Sequence, residues 1–183
     1  MSRRKRVRGG IIPYYYDEGD NETFFLLGKQ IYGKWSPLGG TIERGEQIID
    51  GAIREFIEEI MGLYRKEDIE PYIMEDDKIV TQDYDTIDYH YLVPFDWEPN
   101  LPMFFQNISD FFKRCAGNRR NAWGLPVLGK CQEGLFEVGE IGWFTLSSLK
   151  GMTDAEKDDF FGKKASRRRV IEMLFTIKWE DRV

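Results

Sequence analysis

The amino-terminal part of the chain alternates apolar and polar residues in a pattern that predicts paired β-strands. Residues 7–16 and 23–28 are rich in aliphatic and aromatic side chains, and the polar residues 17–22 between them are typical of a turn. We therefore expect these two strands to form a hairpin. Shorter apolar segments predict further strands at residues 67–74, 78–83, 87–95, 135–140 and 142–146.

Apolar residues at intervals of three and four predict helices. The clearest helix covers residues 46–61, where one side of the helical wheel carries Ile49, Ile53, Phe56, Ile57 and Ile60. Shorter helices are predicted at residues 108–115, 153–161 and 166–177. Thr153 and Glu156 have the spacing of a capping box, and the glycine- and proline-rich residues 33–45 are expected to form a loop.

Residues 94–132 interrupt this pattern with several prolines and many aromatic residues, and they are interpreted as an insertion into a compact domain. The length of 183 residues is that of one domain, here residues 1–183 with a basic tail at residues 1–6. The mixture of strands and helices predicts an α/β or α+β sandwich, in which helices flank a mixed β-sheet.

Charge changes this picture in one respect. The chain carries 26 basic and 32 acidic residues, and its formal net charge of −6 argues against a general polyanion binder. The basic residues are nevertheless clustered, in residues 2–8, 113–120 and 163–169. Such clusters are candidate contacts for phosphate groups.

Histidine and cysteine are scarce, which excludes several kinds of site. Cys115 and Cys131 form no CxxC motif and have no histidine companions, so no zinc site is expected. The single histidine, His90, lies in a predicted strand and is assigned a structural role, and no GxSxG motif is present. We expect no membrane span and a cytoplasmic location, or a nuclear one if residues 3–8 act as a localisation signal.

Three glutamates share one face of the helix predicted at residues 46–61. Glu55, Glu58 and Glu59 are three or four positions apart, so their charges repel each other unless a cation lies between them. A hard divalent cation such as Mg²⁺ would bind these oxygens and activate a water or a phosphoryl oxygen. A solvated acidic surface is the simpler alternative. The glycine pair 39–40 favours the metal site, because flexible backbone lets a carbonyl or an amide approach the ion or a phosphate.

The segment 40–63 resembles the Nudix box, the signature of the Nudix hydrolase superfamily. The residues that carry the resemblance are Gly40, Glu46, Arg54, Glu55, Phe56, Glu58 and Glu59, and the approach at residues 35–40 is similar to that of the family as well. Met61 departs from the pattern, since the closing glycine follows one position later, at Gly62. We therefore expect one extra helical residue before a glycine C-cap. Gly51 is expected to leave open space beside the carboxylates.

The resemblance implies a hydrolase, dependent on Mg²⁺ or Mn²⁺, that cleaves a phosphoanhydride bond in a substrate linked to a nucleoside diphosphate. It implies that Glu58 and Glu59 bind the metal, that Glu55 is a further ligand or a positioning residue, and that the Gly39 carbonyl completes the site.

The resemblance also implies roles in catalysis. Arg54 would orient Glu55, while Glu46 would brace the loop without touching the substrate. The general base stays open between Glu55 and two later carboxylates, Glu137 and Glu140. A polar turn between strands is the simpler interpretation of those two residues.

Substrate recognition is assigned to the insertion and to the approach to the box. The expected contacts are Trp35, Arg119, Arg120 and Trp123, because aromatic rings stack on bases and arginines bind phosphates. Further candidates are Arg114 for phosphate and Trp97, Phe104 and Phe105 for stacking. A small core beneath a long loop is the simpler interpretation for most of the phenylalanines.

Several substrates remain open. They are the capped 5′ end of mRNA, a free nucleotide or nucleotide sugar, and an inositol pyrophosphate; the basic clusters favour RNA. A non-catalytic, RNA-binding module of the Nudix fold is the alternative from another class. Arg54, Glu55, Glu58 and Glu59 are all present, which argues against that alternative.

Overall fold

A mixed β-sheet forms the centre of the computed structural model, which describes residues 5–116, 136–163 and 165–182. Its strands in these residues are β1 (Arg6–Asp17), β2 (Glu22–Gln30), β3 (Trp35–Ser36), β4 (Leu38–Thr41), β5 (Lys78–Gln82), β6 (Thr86–Pro94) and β7 (Val138–Thr145). The strand order is β3-β2-β1-β6-β5, while β4 pairs with β1 and β7 pairs with β2. Helices cover both faces of this sheet, which confirms the predicted sandwich.

The first two strands form the predicted hairpin, with Tyr14 opposite Phe25. Strand β6 runs parallel to β1 and antiparallel to β5, so the predicted strands at residues 78–83 and 87–95 are confirmed. The two strands predicted at residues 135–140 and 142–146 are instead one strand, β7. Its register against β2 shifts near Gly139, and Ile141, where the sequence suggested a break, is paired with Gly28.

The helices in the described residues are α1 (Ile48–Glu59), α2 (Lys66–Ile69), α3 (Leu101–Ala116), α4 (Leu146–Gly151), α5 (Asp154–Phe161) and α6 (Ala165–Leu174). Helices α1 and α3 bury Phe56 and Phe105 on one face of the sheet, which we call the α1 face. Helices α4 to α6 bury Phe161 and Leu174 on the other face, the α6 face. None of the helices in the described part of the chain is long and apolar enough to cross a membrane.

Two predictions of secondary structure need correction and a third is confirmed. The strand predicted at residues 67–74 is wrong, because these residues form α2 and a 3-10 helix (Glu70–Tyr72) that together bury only Ile69. The helix predicted at residues 108–115 is longer and begins at Leu101. At α5 the predicted capping box is present, with Thr153 accepting a hydrogen bond from the Glu156 amide and Glu156 accepting one from the Thr153 amide.

The segment 33–45 is not a simple loop, because it contains β3 and β4. Glycine residues allow the backbones of β4 and β1 to approach closely. Gly10 lies opposite Gly39, and a Cβ on Gly10 would be 2.3 Å from the Leu38 carbonyl oxygen. Strands made of glycine show no alternation of apolar and polar side chains. Pattern analysis therefore misses them.

Helix α1 ends two residues earlier than expected. Its last residue is Glu59, and Met61 adopts a left-handed conformation with φ of 57°. The Met61 amide donates to the Glu58 carbonyl at 3.1 Å and the Gly62 amide donates to the Ile57 carbonyl at 2.9 Å, which is the Schellman pattern. The expectation of an extra helical residue is therefore wrong, since Met61 itself takes the position that usually requires glycine.

Candidate active site

A buried carboxylate joins the end of α1 to β4. Glu59 is 3% exposed, and its two oxygens accept hydrogen bonds from the Gly39 amide at 2.6 Å and from Gln30 Nε2 at 3.2 Å. Burial raises the pKa of Glu59 to about 8, against the opposing effect of these two hydrogen bonds. Glu59 therefore holds the helix against the glycine strand and the end of β2.

Arg54 gathers three further carboxylates of the box region around one guanidinium group. Its Nε and Nη2 donate to the two oxygens of Glu46 at 2.9 and 3.0 Å. Its Nη1 donates to Glu55 at 2.9 Å and to Glu58 at 3.4 Å. The hydrogen bond from Arg54 lowers the pKa of Glu46. Glu46 also accepts a hydrogen bond from the Glu43 amide at 2.9 Å, a contact that supports the predicted bracing role.

Gly51 does not leave open space beside the carboxylates, contrary to expectation. A Cβ at this position would lie 2.6 Å from Glu46 Oε2 and 2.6 Å from Ile42 Cδ1. Glycine is needed here because the Glu46 carboxylate packs against the helix backbone on its way to Arg54.

Glu55 lies directly against the backbone of Gly40, where a Cβ would be 2.0 Å from Glu55 Oε2. Burial raises the pKa of Glu55, the Arg54 guanidinium opposes this shift, and the charges of Glu58 and Glu137 add to it. The carboxylates of α1 and the residue before β7 thus share one electrostatic environment.

The structure distinguishes the two later carboxylates. Burial raises the pKa of Glu137, and the charge of Glu58 raises it further, while the role of Glu137 as a base stays a prediction. Glu140 lies on β7 next to Ile141, which packs on the α1 face, so Glu140 points to the α6 face. There it pairs with Lys29 at 3.1 Å.

Arg8 is a member of this region that the sequence did not single out. Its Nη2 donates to the Gly39 carbonyl oxygen at 3.2 Å, and its Nη1 lies 3.7 Å from the buried carboxylate of Asp88. The charge of Arg8 also lowers the pKa of Glu59 and of Glu137. Arg8 had been grouped with the basic amino-terminal run. Its place inside the predicted strand at residues 7–16 was the available signal that it has a fixed position.

Three of the four predicted substrate contacts, Arg119, Arg120 and Trp123, lie outside the described residues. Trp35 packs on the α6 face, with its ring centroid 4.6 Å from that of Phe144 and 5.7 Å from that of Phe160. Of the further stacking candidates, Phe105 is fully buried, which confirms its core role, whereas Phe104 and Trp97 are 43% and 40% exposed.

The donor atoms of the site fit a hard divalent cation, because Glu55 and Glu58 offer only carboxylate oxygens. In their present arrangement, no three His, Cys, Asp or Glu side chains of the described residues are grouped so that they could hold a metal ion. The positively charged guanidinium group of Arg54 lies between Glu55 and Glu58 and pairs with both carboxylates. Glu59 and the Gly39 carbonyl already have hydrogen-bond partners, and their metal-binding roles stay predictions.

A sequence model of the NUDIX domain matches residues 6–116 of the chain. No curated protein matches the chain in sequence.

Several solved structures share the fold. The C. elegans Ap4A hydrolase, in a binary complex, is 18% identical, with 93% of this chain and 96% of that chain covered and a TM-score of 0.52. The bifunctional NMN adenylyltransferase/ADP ribose pyrophosphatase of Francisella tularensis, complexed with AMP and Mn ion, is 17% identical over 95% of this chain and 42% of its own, with a TM-score of 0.57. The NUDIX domain of Shewanella oneidensis NrtR, complexed with ADP ribose, is 13% identical over 94% and 87%, with a TM-score of 0.51.

Proposed function

The chain belongs to the Nudix family of hydrolases, which act on phosphoanhydride bonds, and we propose that its substrate is the capped 5′ end of RNA. The observation that carries the hydrolytic part is the cluster of Glu46, Glu55 and Glu58 around Arg54, in which Glu55 lies against Gly40 of the glycine strand β4. A divalent metal, when bound, would supply positive charge for the phosphoryl oxygens and acidify a water. Glu55 and Glu58 are the residues that would hold it.

The remaining steps belong to this chain's own side chains. A water attacks phosphorus, the bond from that phosphorus to the bridging oxygen breaks, and the water proton passes to a carboxylate. Glu137 and Glu55 are the candidates for this base, because burial raises the pKa of both carboxyl groups. Arg8 donates from the other side of Gly39, where its charge would stabilise the negative phosphoryl oxygens.

The RNA part of the proposal is supported by the way in which the two chain ends meet. Lys5 Nζ donates to the Asp83 carbonyl at 3.3 Å, and Arg169 Nη1 donates to the neighbouring Gln82 carbonyl at 3.1 Å. Basic residues far apart in sequence therefore lie at one edge of the sheet. Arg8 and Arg167 line one small cavity together with Asp88, and Arg8 also contacts the Gly39 carbonyl of the candidate active site.

A small nucleotide is the second candidate substrate. It is supported by two solved structures of this fold, an Ap4A hydrolase and a NUDIX domain in complex with ADP ribose. The same carboxylate site would serve that reaction, and the basic edge would then have no part in binding.

A substrate panel tests these alternatives. The purified chain is incubated with Mg²⁺ and capped RNA, free cap dinucleotide, Ap4A, ADP-ribose, nucleoside triphosphates or an inositol pyrophosphate. Glu58→Gln should lower turnover by about a thousandfold, the equivalent of several kcal/mol of lost charge stabilisation. Glu43→Gln, an exposed glutamate in the same segment, is the matched control and should leave turnover unchanged.

We expect the chain to release the cap from RNA as a nucleoside diphosphate. We expect little turnover of the free cap dinucleotide. About four phosphate contacts on a single strand predict an affinity loss of about 50-fold as salt rises from about 50 to about 200 mM. Turnover of small nucleotides alone would overturn the RNA proposal. Equal, negligible turnover by the wild type and by Glu58→Gln would overturn hydrolysis itself and favour the binding-module alternative.

A further inference from the structure

A second cavity, with a volume of about 780 Å³, opens beyond the end of α1. It lies between the α1–α2 connection and 3-10 helix on one side and residues 94–98 on the other. This volume is within the range of about 300–1,000 Å³ that small-molecule sites occupy. The predicted functions of the box residues do not use it.

Aromatic rings form much of the wall of this cavity. Tyr64 and Phe95 pack together with their ring centroids 4.8 Å apart, while Tyr72 is 56% exposed. Trp97 is 40% exposed at the cavity, although its ring is stacked on Tyr15 at 5.2 Å. A ring held in this way is positioned before a ligand arrives, which suits stacking on a planar group.

The polar part of the wall is entirely acidic. The cavity is lined by the carboxylates of Glu67, Asp68, Asp96 and Glu98, and no lysine or arginine of the described residues lines it. Asp68 pairs with Arg65, but Glu67 and Asp96 form no ion pair or hydrogen bond within the described part of the chain. Burial raises the pKa of Tyr64, and the charges of Glu98, Asp96 and Asp68 raise it further.

Aromatic faces combined with unpaired carboxylates select planar or quaternary cations over neutral molecules. A neutral nucleobase would gain the stacking but would leave the carboxylates without a positive partner. A phosphate would be repelled. We propose that this aromatic, acidic cavity binds the base of a nucleotide substrate, and that it selects a purine made positively charged by alkylation at N7.

The position of the cavity relative to the candidate active site agrees with this assignment. Lys66 lines a separate groove together with Arg54 and Glu58, whereas the next residue of α2, Glu67, lines the aromatic cavity. A nucleotide could therefore place its phosphates at the first site and its base at the second. The assignment of this cavity to the base of the substrate rests on the proposed function, but binding of a base can be measured without hydrolysis.

The test uses a ligand that has no phosphoanhydride bond. Isothermal titration calorimetry without metal compares 7-methylguanosine 5′-monophosphate with guanosine 5′-monophosphate, on the full chain. The methylated, cationic base should bind about tenfold more tightly, as expected for a cation between aromatic faces and carboxylates. The double variant Glu67→Gln/Asp96→Asn should lose this selectivity. Glu18→Gln, an exposed carboxylate in the β1–β2 turn, should retain it.

Each outcome has one meaning. Equal affinity for the two nucleotides would overturn the inference, and so would a selectivity that survives in Glu67→Gln/Asp96→Asn. Circular dichroism of that variant establishes that it is folded. Selective binding by a chain that hydrolyses nothing would support the cavity and overturn the proposed function. Hydrolysis of capped RNA with no preference for the methylated base would support the proposed function and overturn the assignment of the cavity.

Discussion

The left-handed conformation of Met61 predicts an unusual order of stability at one position. Two variants, Met61→Gly and Met61→Ala, both remove a side chain that is 6% exposed and packed in the core of the α1 face. Both should therefore lose about 2–5 kcal/mol relative to the wild type. The comparison of interest is between the two variants, because the lost packing is nearly the same in each.

The expected difference in stability between the two variants follows from the φ angle of 57° at Met61. An L-residue in the left-handed region costs about 1–2 kcal/mol, which glycine avoids. Glycine in turn loses about 0.5–1 kcal/mol more conformational entropy than alanine on folding. Met61→Gly should thus be more stable than Met61→Ala by about 0.5–1 kcal/mol. For a chain of this size that difference corresponds to about 1–4 °C in Tm.

Urea unfolding followed by circular dichroism measures the two free energies. Phe111→Gly and Phe111→Ala are the control pair, because Phe111 lies exposed in the interior of α3. There alanine should be more stable by about 1 kcal/mol, the normal helical order. A Met61→Ala variant at least as stable as Met61→Gly would contradict the left-handed conformation of Met61. That result would mean that the helix continues through Met61 to a cap at Gly62, as the sequence alone predicts.

Two further predictions concern the site and the single histidine. Gly40→Ala should lower the rate of hydrolysis about a hundredfold, because the added Cβ would displace the Glu55 carboxylate. The control is Gly151→Ala, whose Cβ would meet nothing within 4 Å and should leave the rate unchanged. Equal activities of the two variants would contradict the contact between Gly40 and Glu55. Burial, and to a lesser extent the charge of a nearby arginine, lowers the pKa of His90 from 6.5 to about 3, which its proton NMR titration should show directly. The neutral form is favoured in the folded state, so this contribution to stability is complete above pH 6.5 and is lost at about 1.4 kcal/mol per pH unit as the pH falls towards 3. His90→Gln should lack that part of the pH dependence, and an NMR pKa near 6.5 would contradict the prediction.

The sequence predicted the features that local geometry determines. The spacing of Glu55, Glu58 and Glu59 sets their side of α1 whatever surrounds the helix, because positions three and four apart are always neighbours. The hairpin of β1 and β2 follows from two alternating segments and a short polar turn. The capping box at Thr153 depends on only four consecutive residues. Each of these predictions needs no knowledge of distant parts of the chain.

Predictions failed where neighbouring residues were not sufficient. Strand β4 is held by close contact between glycine backbones, which leaves no alternating pattern to detect. Met61 tolerates a left-handed conformation because its side chain enters the core, a compensation that no local rule contains. In both cases the packing of another element decided the backbone conformation.

The sequence by itself determined the family, the carboxylate helix and the kind of chemistry that its oxygens can support. Only the tertiary structure decided which distant groups join them. The bulge near Gly139 turns Glu140 to the α6 face, while Glu137 enters the electrostatic environment of Glu58. The pairing of β1 with β4 brings Arg8 to the Gly39 carbonyl. The spacing of residues on a helix is a property of one segment. The register of a sheet depends on several strands at once, so the sequence of any single strand does not determine it.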